Sequence, residues 1–376
     1  MYRQFSCLLA FCVTALCSFG VPAEPGVEPR QLQLGMVNAQ SGPAAGLGRR
    51  VRDGAEAYFA RVNAEVGVHG RRLHLLVRDD GYEPGRTAAL TEEKIGSGQV
   101  FALFGYVSTP TSRAAMPAVL AAGVPYLFPF TGAEVLREPV HRWVFNVRAS
   151  YFAETERLVR HMTEVLGVSR VGLIMQDDSF GETVKGGLAG ALYKRDLTIV
   201  GEARIRRNSL EVGPAVECLK ALQTQAILFV GTYRQLAVAV REARRQGIRA
   251  PFYSVSFVGT EDFIAEAGAD GDGVYISQVV PAPDDERLPL VRAYRADMAG
   301  RELGHASLEG YIAAAVLAEA LRRVGPEPTR ARLVEVLESL DFDLGGFRVA
   351  FSPRNHQGSS AVYLTRVEQG RAVPVD

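Results

Sequence analysis

Residues 32–38, LQLGMVN, run through Ser41-Gly42-Pro43 into a long amphipathic stretch in which Val51, Ala55, Tyr58, Phe59 and Val62 recur at helical spacing. The apolar segment reads as a strand, and the Ser-Gly-Pro that follows as an open polar loop at its carboxyl end. The periodic residues then form one helix face against a sheet, leaving Arg49, Arg50 and Arg61 able to reach solvent. The first folded element is therefore a βα unit.

Upstream lies a segment with a single cation, Arg3, an apolar run over 5–19, and Val21-Pro22-Ala23 before Glu24. This order has the charged, apolar and small-residue regions of a secretory signal and is short for a membrane span. Cleavage after Ala23 is expected, with soluble export. Leu16 before Cys17 argues against a lipoprotein anchor. Three of the four cysteines fall in this leader, so the mature chain keeps only Cys218 and has neither an internal disulfide nor a cysteine-based metal site. Cys218, among Val212, Val216, Leu219 and Leu222, is expected to be a buried helix thiol.

Downstream the same alternation repeats. Strands are expected over 73–79, 101–106, 170–175, 198–205, 226–230, 252–256 and 274–279, with helices over 84–97, 111–122, 151–167, 181–195, 211–222 and 260–268. Parallel neighbours need a crossover, and the crossover helix covers the sheet face, so the fold class is α/β with helix-covered parallel sheets. The stretch 308–324 is apolar nearly all round and should be sandwiched. In the helix over 233–246, Leu236, Val240 and Ala243 make an apolar stripe while Arg234, Arg241 and Arg245 project to solvent. About 350 residues remain after the leader, enough for two lobes with separate cores. The 42 basic residues match 42 acidic ones, which gives no electrostatic grip on nucleic acid or anionic lipid.

Ligands of doubly wound sheets sit outside the carboxyl ends of the strands. Five loops there are chemically suggestive: Ser41-Gly42-Pro43, Ser108-Thr109-Pro110-Thr111-Ser112, Pro129-Phe130-Thr131-Gly132-Ala133, Asp177-Asp178-Ser179-Phe180-Gly181 and Gly231-Thr232-Tyr233. Hydroxyls and glycines ahead of a helix offer backbone N–H donors to an anionic group. Thr109, Thr111 and Ser112 could equally just cap the next helix, and Phe180 and Tyr233 could be core aromatics. The acid pairs Asp79-Asp80 and Asp177-Asp178 read as solvated turn residues.

With these residues in place the chain resembles the leucine/isoleucine/valine-binding family of type I periplasmic solute-binding proteins that serve ABC importers. The likeness is carried by LGMVNAQSGPAAGLG, DGAEAYFARVNAEVGVHGRRL, RDDGYEP, FGYVSTPTS, GVPYLFPFTGA, DDSFGE and ARRQGIRAPFYSVSFVG, in that order. It implies two Rossmann-like lobes joined by a three-strand hinge, placed near 145–149, 273–277 and 345–347. The first lobe would comprise 24–146 and 278–344, the second 147–277 and 345–376. It further implies Ser108, Thr109, Thr131 and Gly132 on the carboxylate side, Leu47 as the apolar contact of the first loop, and Phe180 and Tyr233 as second-lobe aromatics. Ser256 stands where leucine-type members carry the acid that neutralises a ligand ammonium. Either another acid such as Glu309 or Asp262 substitutes, or the ligand is a neutral amide or organic acid.

The resemblance implies hinge closure over a small-molecule ligand, no cofactor, permease subunits as partners, and a monomer. A periplasmic subunit signalling to a separate membrane receptor or kinase is the alternative. Enzymatic motifs are lacking. Gly46-Leu47-Gly48 is followed by Arg49-Arg50-Val51 and so fails the dinucleotide fingerprint, Gly181 to Gly187 lacks a Walker lysine, and there is neither a Gly-x-Ser-x-Gly nor a His-Glu-x-x-His. The six histidines, His69, His74, His141, His161, His305 and His356, show no metal-like spacing.

Overall fold

The computed structural model describes residues 24–375; the expected leader lies outside them. The strand β1 (Gln31–Asn38), the helix α1 (Ala45–Ala64) and β2 (Arg72–Asp79) form the first βα unit, with β2 parallel to β1 in continuous register from Gln31 opposite Arg72 to Asn38 opposite Asp79. Next come α2 (Pro84–Gly96), β3 (Ala102–Phe104), α3 (Thr109–Ala122), β4 (Tyr126–Leu127) and β5 (Val144–Phe145). The resulting five-stranded parallel sheet has the order β2-β1-β3-β4-β5. Strand order reverses between β1 and β3, so the loops leaving those two strands diverge and open a crevice.

The second lobe repeats the device. Its elements are α4 (Tyr151–Arg160), continued by a wider turn over His161–Val165, then β6 (Val171–Gln176), α5 (Ser179–Tyr193), β7 (Ile199–Ile205), α6 (Gly213–Ala221), β8 (Ala226–Val230), α7 (Tyr233–Arg245), β9 (Phe252–Ser254), α8 (Thr260–Ala267) and β10 (Tyr275–Gln278). Local sequence fixes the helix starts. Ser150 Oγ accepts from Ala153 N–H, Asp178 Oδ1 from Phe180 and Gly181 N–H, and Thr232 and Gln235 form a reciprocal capping box at α7. Here the strand order reverses between β6 and β8.

The chain then returns to the first lobe through α9 (Pro289–Asp297), α10 (His305–Val324), α11 (Arg330–Leu337), β11 (Asp341–Asp343) and β12 (Arg348–Ala350). As the all-round apolar pattern requires, α10 is buried along nearly its whole length, against α1. Two glycines permit this approach: a Cβ on Gly54 would lie 1.8 Å from Ser307 O, and one on Gly310 2.2 Å from Val51 O. The first core accordingly joins Leu34, Phe59 and Phe104 from the early segment to Tyr311, Ile312, Phe347 and Phe351 from the late one.

Several expectations need correction. Residues 345–347 do not cross between lobes: Gly345 and Gly346 N–H donate to Asp343 Oδ1 at 2.6 and 2.8 Å, closing the β11–β12 hairpin turn, and Phe347 packs in the first core. The chain leaves the first lobe later, after Gly358 N–H has met Asn146 O at 2.7 Å. It then forms β13 (Tyr363–Glu368) and β14 (Arg371–Val375), an antiparallel pair that completes the seven-stranded second sheet beside β10. Cys218 is exposed, not buried. The inward face of α6 is made by Ala215, Val216 and Leu219, and position 218 falls outside that arc. Asp80 is buried where a solvated residue was expected, because Thr87 Oγ1 and Tyr82 N–H donate to its carboxylate at 2.9 and 2.8 Å. Arg50 reaches the other lobe rather than open solvent, at 3.1 Å from Asp262 Oδ2.

Candidate functional site

The loops leaving β1 and β3 face those leaving β6 and β8, and the lobes are closed on each other. Leu47, Tyr82 and Phe130 of the first lobe share one apolar cluster with Tyr151, Phe180 and Phe257 of the second. Leu47 lies against Gly259, where an added Cβ would come within 2.5 Å of its Cδ2.

On the first-lobe side Thr109 and Thr131 share a hydrogen bond of 2.7 Å, and Thr131 Oγ1 also accepts from Ala133 N–H at 3.3 Å. Gly132 abuts Tyr151, whose ring an added Cβ would meet at 2.6 Å. The capping alternative is decided hydroxyl by hydroxyl. Thr111 Oγ1 donates to Val107 O and Ser108 O, and Ser112 Oγ accepts from Tyr126 O–H at 2.8 Å, so both serve the fold. Ser108 Oγ makes no such bond: it is buried without a partner, on a backbone turned to φ 94°. A side-chain-bearing residue held there stores strain, which functional sites often do. The Tyr82 hydroxyl faces Ser108 and Gln176 but makes no well-directed hydrogen bond.

On the second-lobe side Phe180 lies 5.3 Å from Tyr151 and 4.7 Å from Phe257, centroid to centroid. Tyr233 is not brought to this cluster; it packs with Phe229, Val258 and Phe263 in the lobe's own core. Phe257 supplies the second ring instead, reaching Tyr82 and Phe130 across the interface at 6.4 and 5.9 Å. Sequence reasoning missed it, although it directly follows Ser256.

The floor is ionic. Arg148, between β5 and α4, is fully buried with its guanidinium 4.6 Å from the Phe130 ring centroid. Its Nη2 donates to Ser256 Oγ and lies 3.5 Å from Glu154 Oε1, and its Nη1 lies 3.6 Å from Glu309 Oε1. Ser256 N–H and Ser277 O–H donate to Glu154 Oε2 at 2.7 and 2.6 Å. Burial pushes the Glu309 carboxyl up to about 7, with Arg148 opposing the rise. Arg148 was not foreseen as a site residue, since a lone arginine in VRAS carries no motif.

Further out, Arg207 lies over the Tyr82 ring at 3.9 Å and pairs with Asp178 at 2.6 Å, while Asn208 donates to Glu83 at 2.9 Å. Glu261 Oε1 meets His305 Nδ1 at 2.7 Å and accepts from His305 N–H at 3.0 Å. Asp262 pairs with Arg50 here and is not beside Arg148. A cavity of about 620 Å³ opens elsewhere, at the β14 edge around Asp272, Arg366 and Arg371.

Residues 31–372 match the model of a family described as periplasmic binding protein. The chain belongs to that family. Periplasmic binding proteins similar to it include the Leu/Ile/Val-binding protein of Escherichia coli (strain K12), 21% identical over 294 residues, with 77% of each chain covered. The crystal structure of a possible leucine/isoleucine/valine-binding protein from Rhodopirellula baltica SH 1 is 32% identical, with a TM-score of 0.87 over 95% of this chain and 98% of that one. A substrate-binding periplasmic protein from Ralstonia solanacearum is 30% identical, with a TM-score of 0.86 over 91% of this chain and 99% of that one. This periplasmic binding protein is thus a solute-binding protein of the Leu/Ile/Val-binding type and not an enzyme. Among the described residues no helix is long and apolar enough to cross a membrane.

Proposed function

We propose that the protein is the solute-binding component of an ABC importer, closing its lobes over a small amino-acid-like, carboxylate or amide ligand and presenting the closed form to membrane permease subunits. The supporting observation is Phe257, a second-lobe ring seated against Tyr82 and Phe130 of the first lobe. A contact of this kind exists only in the closed arrangement, so a ligand held among these rings and the Thr109–Thr131 hydroxyls would be bound by hinge closure. Ligand that bridges the lobes stabilises closure by its extra affinity for that state.

The test is a thermal-shift screen of the mature protein against amino acids, amides and short carboxylates, followed by small-angle scattering with each hit. A binding protein shows a raised melting temperature and a smaller radius of gyration with the same compound. Turnover of the hit into product, or no compaction with any saturating compound, would remove this reading.

A further inference from the structure

Buried polar atoms in folded proteins nearly always have partners. Arg148 departs from this on both Nε and Nη1, which are fully buried and make no hydrogen bond. Its two carboxylate neighbours sit at 3.5 and 3.6 Å, each by a single oxygen, not in the paired geometry that saturates a guanidinium. Glu154 divides its oxygens: Oε2 accepts from the Ser256 N–H and the Ser277 hydroxyl, and only Oε1 faces Arg148, at Nη2. A second buried guanidinium stands behind: Arg137 donates to Ala133 O at 2.8 Å, Arg148 O at 3.1 Å and Gln357 Oε1 at 2.9 Å, and none of its hydrogen bonds is to a carboxylate.

Two buried guanidiniums stand among Glu154, Glu309 and, on the Arg137 side, Glu134, and burial pushes the Glu309 carboxyl up to about 7, so the buried acids do not outweigh the cations. An ammonium brought beside Arg148 would meet a like charge in a poorly hydrated place. A carboxylate would meet the unpartnered Nε–H, while Nη1 already faces Glu309 at 3.6 Å. The surrounding walls are rings: Phe130 under the guanidinium, then Phe257 and Phe180.

We infer that Arg148 is the anion-binding residue of the cleft and that the ligand is a carboxylic acid with an apolar body and no ammonium group. This rests on the solute-binding reading above and narrows its ligand class. Arg148 sits in the segment joining the two lobes, so a carboxylate held there touches the hinge itself. Ser256 keeps the arrangement open, because an acidic side chain at that position would lie against Nη2 and neutralise the cation.

Calorimetry on the mature protein with two matched series tests this: phenylacetate, phenylacetamide and phenylalanine; 4-methylpentanoate, 4-methylpentanamide and leucine. Within at least one series the carboxylate is expected to bind tenfold or more tightly than its amide and its amino acid. Arg148→Gln should cancel the advantage over the amide. Ser256→Asp should do the same with the arginine retained, so the prediction stands on a second variant if the first does not fold. Equal or tighter binding of leucine or phenylalanine overturns the inference, as does a carboxylate advantage that survives in Ser256→Asp, or binding by none of the six. The solute-binding reading falls separately, if the wider screen yields no compound that compacts the protein or if a hit is turned over.

Discussion

The Phe257 ring stacks on that of Tyr82 with centroids 6.4 Å apart and planes at 28°, and the two belong to different lobes. The closed state thus gains apolar burial as well as polar contacts, and Phe257 is the side chain through which most of that gain should pass.

Phe257→Ala should weaken binding of whatever ligand the screen identifies by at least tenfold, since an aromatic pair contributes about 0.5–1.5 kcal/mol beyond the area it buries. Scattering of the variant with ligand should show a larger radius of gyration than the parent. An unchanged radius and affinity would mean that closure does not depend on this ring.

Thr109→Ala removes the 2.7 Å bond to Thr131 but leaves Thr131 its Ala133 partner. Stability should fall by only about 1 kcal/mol. Ligand affinity should fall roughly tenfold if the hydroxyl pair faces the ligand. Urea unfolding alongside calorimetry separates the two, and a variant with full affinity would exclude the pair from the site.

Gly310→Ala tests the contact that holds the first lobe together. Its Cβ would meet Val51 O at 2.2 Å, backbone that cannot rotate away. Overpacking of this kind costs about 1–3 kcal/mol, which should lower the melting temperature by several degrees. An unaltered melting temperature would show that α1 and α10 can separate freely.

Much of the architecture was legible because its signals are local and periodic. The Val51–Val62 face, the apolar 308–324 stretch and the β-branched runs each reported burial through spacing alone. The terminal hairpin was not read: Tyr363–Glu368 and Arg371–Val375 are short and partly exposed, and only Gln369-Gly370 marks the turn between them. In the cleft, Ser108, Thr109 and Thr131 could be named as candidates because they follow strands. Arg148 and Phe257 could not, since what brings them to notice is the approach of Glu309, Glu154 and Tyr82 from sequence positions far away.

Glu309 predicts a pH dependence of definite sign. Its carboxyl titrates near 7 when folded and near 4.5 when free. The folded protein therefore binds the extra proton between those values, and this group's contribution to stability declines as pH rises from about 4.5 to 7 and is flat above. Glu309→Gln should remove that decline, gaining on the parent at pH 8 relative to pH 4.5. Parallel stability curves for the two proteins across the window would contradict the assignment.

Because the first core needs Ile312 and Phe351 as much as Leu34, and the second sheet is finished by the chain's last strands, neither half can mature while the final third is still being made or threaded. Such long-range closure slows folding. The rigid two-lobed form is therefore acquired late, once residues distant in sequence have joined both cores.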